Sequence, residues 1–222
     1  MTADHRRTPF RTVIFDCDST LTAIEGIDEL GHGQREAIVR LTNLAMSGAI
    51  RLEEVYAQRL DLLRPSQAEV ARIGALYIER MVPGAEETIR TLRAEGIEVR
   101  VLSGGLAPAV RILARHLEIG DDHVAAVEIY FAADGSYVGF ASDSLLARSG
   151  GKRQWVEEQG TLLKRPVLLV GDGATDLEAR PAVAAFAAYT GVVSRPDVVQ
   201  QADVVIAGPS LTELLPYVRR GV

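Results

Sequence analysis

Three short motifs of the sequence carry acidic and hydroxyl side chains whose spacing could support chemistry. Asp16 and Asp18 lie in DCDST, Ser103 lies in SGG, and Asp172 lies in GDGATD. Carboxylates two residues apart in an extended segment project to the same side, and they repel one another unless a cation lies between them or one is protonated. Mg²⁺ prefers hard oxygen ligands and often shares a substrate phosphate. Asp16 and Asp172 are therefore candidate magnesium ligands.

The acidic pair also predicts a division of roles between a nucleophile and an acid. A carboxylate can attack phosphorus and form an aspartyl-phosphate. A neighbouring acid can protonate the leaving oxygen and then take a proton from the water that resolves the intermediate. We interpret Asp18 as that proton carrier, with its backbone carbonyl available to the metal. An Asp at a strand end is often only a helix N-cap, so this interpretation depends on the motifs occurring together.

Other polar residues of the motifs suit a phosphate group. Ser103–Gly104–Gly105 is predicted to form a small turn before a helix, where backbone N–H groups and the serine hydroxyl can bind phosphate. Lys152 offers a compact positive charge. Asp176 could hold Lys152 in place or support the metal ligands. Thr175 could cap a helix or contact substrate, and Thr20 is a supporting hydroxyl of the first motif.

A parallel sheet is the element that would position these motifs. Short apolar runs predict strands over 12–15, 97–102 and 167–170, each ending at one of the motifs, and two further strands over 184–189 and 203–206. Apolar strands that alternate with helices indicate a parallel sheet covered on both faces. In such α/β sheets ligands bind at the carboxyl ends of the strands. Two runs flanking Asp134–Gly135 predict a separate hairpin.

The stretch between the first and second strands reads as helical. Apolar residues recur at spacings of three and four over 34–46 and 52–63, and Ser66 with Glu69 forms a capping-box pattern before a third helix. We therefore predict a Rossmann-like α/β core, residues 1–22 and 83–222, with an inserted small helical cap over 23–82.

Composition excludes several classes of function. The chain has 222 residues, one cysteine and a net charge of −6, so no intrachain disulfide is possible and general binding of nucleic acid or anionic membranes is disfavoured. No apolar stretch approaches the length of a membrane-spanning helix. The expectation is a cytoplasmic protein that acts on a small-molecule substrate without nucleic-acid or membrane partners; a homodimer is left open.

The order of DCDST, SGG, Lys152 and GDGATD resembles the haloacid dehalogenase superfamily of phosphohydrolases. DCDSTLTAIEGIDELG, a helical stretch, LSGG, SGGK and GDGATDLEA are in addition similar to the phosphoserine phosphatase family, over about residues 13–215. The resemblance implies a Mg²⁺-dependent phosphomonoesterase that hydrolyses O-phospho-L-serine to L-serine and phosphate through an aspartyl-phosphate, in serine biosynthesis.

The resemblance also implies the role of each core residue. Asp16 would be the nucleophile and a metal ligand, Asp18 the proton donor that binds metal through its main chain, and Asp172 the remaining protein ligand. The groups implied to hold the phosphate are Ser103, Gly104, Gly105 and Lys152.

For the cap, the resemblance implies residues that recognise an amino acid. Glu25 would face the substrate ammonium and Arg59 its carboxylate, while Met46 and Ser47 match a segment that closes over the substrate. An acid and a bidentate arginine are what a pocket for a zwitterion needs. Ser47 stands where family members have Gly, and Val127 where they usually have Asn.

Several alternatives remain at this point. The nearest is the same chemistry on another small phosphomonoester, or transfer of the phosphoryl group to a second hydroxyl. A signalling domain phosphorylated on Asp16 is disfavoured by Asp18 and by the cap. A dinucleotide-binding enzyme is disfavoured because no G-x-G-x-x-G follows a strand. A dehalogenase would not need the second acid, since a halide leaves without a proton.

Overall fold

The computed structural model describes residues 8–31, 35–46 and 51–221. Its strands in chain order are β1 (Thr12–Phe15), β2 (Glu98–Leu106), β3 (Val124–Val127), β4 (Ile129–Phe131), β5 (Tyr137–Phe140), β6 (Val167–Gly171), β7 (Ala185–Tyr189) and β8 (Val204–Ile206). The α-helices are α1 (Arg35–Met46), α2 (Leu52–Leu63), α3 (Gln67–Glu79), α4 (Ala85–Ala94), α5 (Ala107–His116), α6 (Gly151–Gln159), α7 (Ala174–Glu178), α8 (Pro196–Gln201) and α9 (Leu215–Arg220).

Six of these strands form one parallel sheet in the order β3-β2-β1-β6-β7-β8. Every residue of β1, β6 and β7 is buried, as expected for strands with helices on both faces. β1 pairs with β2 on one side and β6 on the other, so that Phe15 lies level with Val101 and Val170. The residues that follow these strands therefore meet at one edge. The predicted α/β fold is confirmed.

Helices α1 to α3 lie in the chain between β1 and β2, as the periodicity predicts. The predicted hairpin is β4–β5, antiparallel, and it contacts the start of α3, where the Gln67 backbone N–H donates to the Gly135 carbonyl at 2.9 Å. Within the described ranges, the structure contains no helix long and apolar enough to cross a membrane.

The structure corrects one local prediction. Ser103–Gly104–Gly105 is not a turn, because β2 continues as extended chain through Leu106 and α5 begins only at Ala107. The pairing of β2 with β3 shifts in register between Leu102 and Leu106. Small residues there tolerate an irregular strand, and a local sequence signal cannot separate it from a turn.

The capping box of α3 gives a first prediction. The Ser66 hydroxyl accepts from the Glu69 backbone N–H at 3.3 Å, and Glu69 Oε2 accepts from the Ser66 backbone N–H at 2.8 Å. Replacing Ser66 by Ala should lower the free energy of unfolding by about 1 kcal/mol, since it leaves a helix N–H without its partner. Urea denaturation measures this. The exposed Ser142, replaced by Ala, should stay within about 0.5 kcal/mol of the wild type, and an equal loss in both variants would contradict the assignment.

Candidate active site

A pocket opens at the carboxyl edge of the sheet. Its volume is about 570 Å³ when the space open to solvent at its mouth is included. Its lining comes from the segments after β1, from β2, from the loop before α6, from the segment after β6 and from α2: Asp16, Asp18, Glu25, Gly26, Ile27, Tyr56, Arg59, Ser103, Gly104, Gly105, Leu146, Arg148, Lys152, Asp172 and Thr175. Motifs from distant parts of the chain thus meet in one concave site.

Lys152 lies at the centre of the charged groups. Its Nζ is 2.9 Å from Asp16 Oδ1 and 2.7 Å from Asp176 Oδ1, and all three side chains are buried. Burial alone would lower the pKa of Lys152, but the two carboxylates outweigh it and hold the pKa above its ordinary value. Lys152 is therefore a permanent cation at the floor of the pocket.

Three carboxylates form a cluster that fits a divalent cation. Oxygens of Asp16, Asp172 and Asp176 all lie within 4.8 Å of one another. Burial raises the pKa of Asp16 well above its usual range and raises that of Asp172 to about 7. Buried like charges are costly unless a cation offsets them. Hard, negatively charged oxygens in a buried group are the donor set that Mg²⁺ prefers, so these residues fit that ion.

Two described side chains outside the cluster contact Asp172. Arg195 Nε donates to its Oδ2 at 3.2 Å, and the Thr20 hydroxyl lies 3.5 Å from its Oδ1. Asp176 Oδ2 also accepts from the Gly173 backbone N–H at 3.1 Å, at the start of α7. These contacts orient carboxylates that would otherwise repel one another.

Asp18 points away from this cluster. Its Oδ1 accepts from the Gly26 backbone N–H and from the Tyr77 hydroxyl, both at 2.7 Å. A Cβ added to Gly105 would lie 2.9 Å from Asp18 Oδ2, so only glycine allows the strand to come this close to the acid. Burial raises the pKa of Asp18. Asp18 is therefore placed as an acid beside β2 and not as a side-chain member of the carboxylate cluster.

The segment around Ser103 faces the same pocket. The Gly105 backbone N–H donates to Ser103 Oγ at 3.0 Å, and both groups are next to Asp18. The Ser103 side chain is fully buried. Because Ser103 Oγ accepts from the Gly105 N–H, the serine hydroxyl proton is free to donate to an anion in the pocket.

Arg59, from α2, and Glu25, from the segment after β1, line the same pocket. Arg59 is 3% exposed, and one of its NH2 groups donates to Asp28 Oδ1 at 3.1 Å. Its Nε is buried and has no hydrogen-bond partner among the described residues. Glu25 Oε1 accepts from the Ser19 hydroxyl at 2.7 Å, and burial raises the pKa of Glu25. A buried guanidinium N–H without a partner is costly, and a carboxylate ligand would remove that cost.

The described part of the structure does not test the predicted roles of Met46 and Ser47. Met46 is the last residue of α1, and nothing is described of its side chain; Ser47 lies outside the described residues. Thr175, by contrast, lines the pocket from the start of α7.

Sequence reasoning missed several polar residues of the site, among them Arg148, which lines the pocket. Tyr56 and Tyr77 occupy apolar positions of helical repeats, which predict burial but not where a hydroxyl points. Asp28 partners Arg59, and Arg195 partners Asp172. Arg195 follows β7 at the carboxyl edge of the sheet, and that position was the available signal.

Comparison with known proteins agrees with this geometry. The family model described as haloacid dehalogenase-like hydrolase matches residues 13–180. Phosphoserine phosphatase of Bos taurus is 36% identical over 198 residues, 86% of this chain and 86% of the relative. The chloroplastic phosphoserine phosphatase of Arabidopsis thaliana is 39% identical over 86% of this chain, which spans 66% of that relative.

Solved structures give the same result. A substrate-bound phosphoserine phosphatase complex has a TM-score of 0.81 and 27% identity, covering 96% of this chain and 100% of the other. A phospho-aspartyl intermediate analogue of phosphoserine phosphatase has a TM-score of 0.79 and 26% identity over the same shares. The motifs, the sheet order and these matches have one explanation: the chain belongs to the haloacid dehalogenase-like hydrolase family.

Proposed function

We propose that this protein is a Mg²⁺-dependent phosphatase that hydrolyses O-phospho-L-serine to L-serine and phosphate, as its relatives' names suggest. The observation that carries the proposal is that one pocket contains both groups suited to a phosphate and groups suited to an ammonium and a carboxylate. At one end lie Lys152 and the buried carboxylates. At the other lie Glu25 and the Nε of Arg59, which has no hydrogen-bond partner in the part of the chain that the structure describes. A small phosphate ester with an ammonium and a carboxylate matches both ends.

In this proposal the residues that bind phosphate surround Asp16. Ser103, the Gly104–Gly105 backbone and Lys152 hold the phosphoryl oxygens, and a carboxylate oxygen of Asp16 attacks phosphorus. Asp18 protonates the departing serine oxygen and later accepts a proton from the attacking water. Lys152 Nζ is already within 2.9 Å of Asp16, so the cation lies beside the reacting carboxylate.

The metal would be held by Asp16 and Asp172, with the Asp18 main-chain carbonyl as a further ligand and Asp176 supporting Lys152. Bound Mg²⁺ would supply positive charge that offsets the repulsion between a phosphate and these carboxylates. Residues 23–82 would act as the cap, with Met46 and Ser47 in its closing segment. A cytoplasmic location and a homodimer stay predictions from the sequence.

A substrate panel tests the proposal. With Mg²⁺ the chain should release phosphate from phosphoserine faster than from phosphothreonine or sugar phosphates, and a chelator should stop release until Mg²⁺ is restored. Replacing Arg59 by Gln should raise KM for phosphoserine by about 10- to 100-fold, the size of a lost charge-assisted pair, with a smaller change in kcat.

The control for Arg59 is Arg153, an exposed arginine of α6 paired with Glu157, whose replacement by Gln should leave KM unchanged. If another phosphomonoester is hydrolysed faster than phosphoserine, that compound would be assigned as the substrate instead. Phosphate appearing on an added alcohol, with little free phosphate, would identify a phosphotransferase.

A further inference from the structure

Tyr56 joins helix α2 to the phosphate-binding side of the pocket. Its side chain is 2% exposed, and its hydroxyl donates to the Gly104 carbonyl at 2.9 Å. The ring lies against Phe140 of the hairpin, with 5.4 Å between centroids and a tilted arrangement. Burial raises the pKa of Tyr56, so the hydroxyl remains a donor at neutral pH. The proposed reaction assigns no step to this hydroxyl.

The carbonyl that Tyr56 contacts belongs to the peptide unit between Gly104 and Gly105. A trans peptide is planar, and its C=O and N–H point to opposite sides. Fixing the Gly104 carbonyl therefore fixes the direction of the Gly105 N–H, which donates to Ser103 Oγ at 3.0 Å. Glycines on both sides of this peptide leave its orientation free to change unless an outside group holds it.

The same face of α2 carries Arg59, the residue proposed to bind the substrate carboxylate. Arg59 follows Tyr56 by three residues, and residues at that spacing lie on one face of a helix. Glu53 precedes Tyr56 by three, and its Oε2 accepts from the Ser149 backbone N–H at 3.0 Å, just before the helix of Lys152. One face of α2 thus contacts the Asp28 loop, the Gly104 peptide and the loop before α6.

We propose that Tyr56 is a positioning residue that couples recognition of the substrate carboxylate by Arg59 to the orientation of the Gly104–Gly105 peptide. A carboxylate bound to Arg59 holds α2 against the core, and the Tyr56 hydroxyl then keeps the Gly105 N–H directed at Ser103 Oγ, which leaves the Ser103 hydroxyl proton free to donate to the phosphate. Tyr56 acts through the peptide and does not touch the reacting atoms. The proposal rests on the proposed function and names a residue that tunes its specificity.

The test is Tyr56→Phe, which keeps the ring and removes only the hydroxyl. For phosphoserine, kcat/KM should fall about 5- to 20-fold, the equivalent of one buried hydrogen bond. For p-nitrophenyl phosphate, which has no carboxylate, the fall should be under about 3-fold, because nothing then holds α2 through Arg59. In an Arg59→Gln background, Tyr56→Phe should change phosphoserine turnover by under about 3-fold as well.

Tyr189→Phe is the matched control. It removes another buried tyrosine hydroxyl that donates to a backbone carbonyl, that of Pro209 at 2.8 Å, outside the pocket lining. Tyr189→Phe should lower kcat/KM for both substrates equally and by less than 2-fold. Its midpoint of urea denaturation should change by about as much as that of Tyr56→Phe. Equal losses on both substrates in Tyr56→Phe, or losses that add to those of Arg59→Gln, would show a structural role only and overturn the proposal.

Different results would overturn the proposed function and the role of Tyr56. A wild-type chain that hydrolyses p-nitrophenyl phosphate but not phosphoserine overturns the proposed function, and with it the basis of the coupling. A wild-type chain that hydrolyses phosphoserine, together with a Tyr56→Phe variant that loses both substrates alike, overturns only the role of Tyr56.

Discussion

Asp16→Asn should abolish phosphate release, by about 10⁴-fold or more in kcat, while leaving the fold intact. The amide has the shape of the carboxylate but lacks the anionic oxygen that attacks phosphorus. The carbonyl oxygen can still accept from Lys152 and from the Cys17 backbone N–H, which now donates to Asp16 Oδ1 at 2.7 Å. The measurement is phosphate release from phosphoserine at saturating Mg²⁺.

The stability of Asp16→Asn separates loss of chemistry from loss of fold. Burial and neighbouring carboxylates raise the pKa of Asp16 in the folded chain. A raised pKa means that ionised Asp16 destabilises the fold above its unfolded pKa, so removing the charge should keep or raise the melting temperature at neutral pH. The exposed Asp143, replaced by Asn, should behave as the wild type in both assays. Turnover near the wild-type rate in Asp16→Asn would refute the nucleophile.

Asp18→Asn should slow phosphoserine hydrolysis by about 10²- to 10⁴-fold, the usual contribution of a general acid and base. Serine is a poor leaving group and needs a proton, whereas p-nitrophenolate leaves without one. The variant should therefore still transfer phosphate to Asp16 from p-nitrophenyl phosphate, and then stall because no base activates water. Rapid mixing should show a burst of p-nitrophenolate close to one equivalent, followed by slow turnover.

The control for this second variant is Asp16→Asn, which should show no burst at all. A further comparison is Tyr77→Phe, which removes the hydroxyl that donates to Asp18 Oδ1 but keeps the acid. It should retain turnover without a burst. Equal rate losses for Asp18→Asn on both phosphate esters, without a burst, would assign the proton transfer to another group.

The strands, and the acidic motifs at the carboxyl edge of the sheet, were predictable because each depends on a local sequence pattern. Apolar runs such as Val167–Val170 end directly at an acidic motif, and parallel pairing brings such ends together. The capping box at Ser66 was predictable for the same reason, since its two partners are three residues apart. The short strand β3 was not predictable, because two of the four residues of VAAV are alanines, which are depleted in strands, and the strand is specified by pairing with β2.

The rest of the site depends on contacts between residues distant in sequence. Arg195 pairs with Asp172, 23 residues away in the chain, and Tyr56 with Gly104, 48 away. Neither pair has a periodic pattern or a fixed spacing. A helical repeat places a tyrosine in the core through its ring, and only the packed structure decides which carbonyl its hydroxyl reaches.

The central position of β1 has a consequence for how substrate preference can change. β1 is hydrogen-bonded on both sides, and the Asp16 backbone N–H still donates to the Val170 carbonyl at 2.9 Å beyond the strand. Its amides should exchange with deuterium only when the whole sheet unfolds. Arg59 and Tyr56 come instead from a helical excursion outside the sheet. Substitutions in those helices should change which phosphate esters the protein accepts, while the carboxyl edge of the sheet keeps its structure.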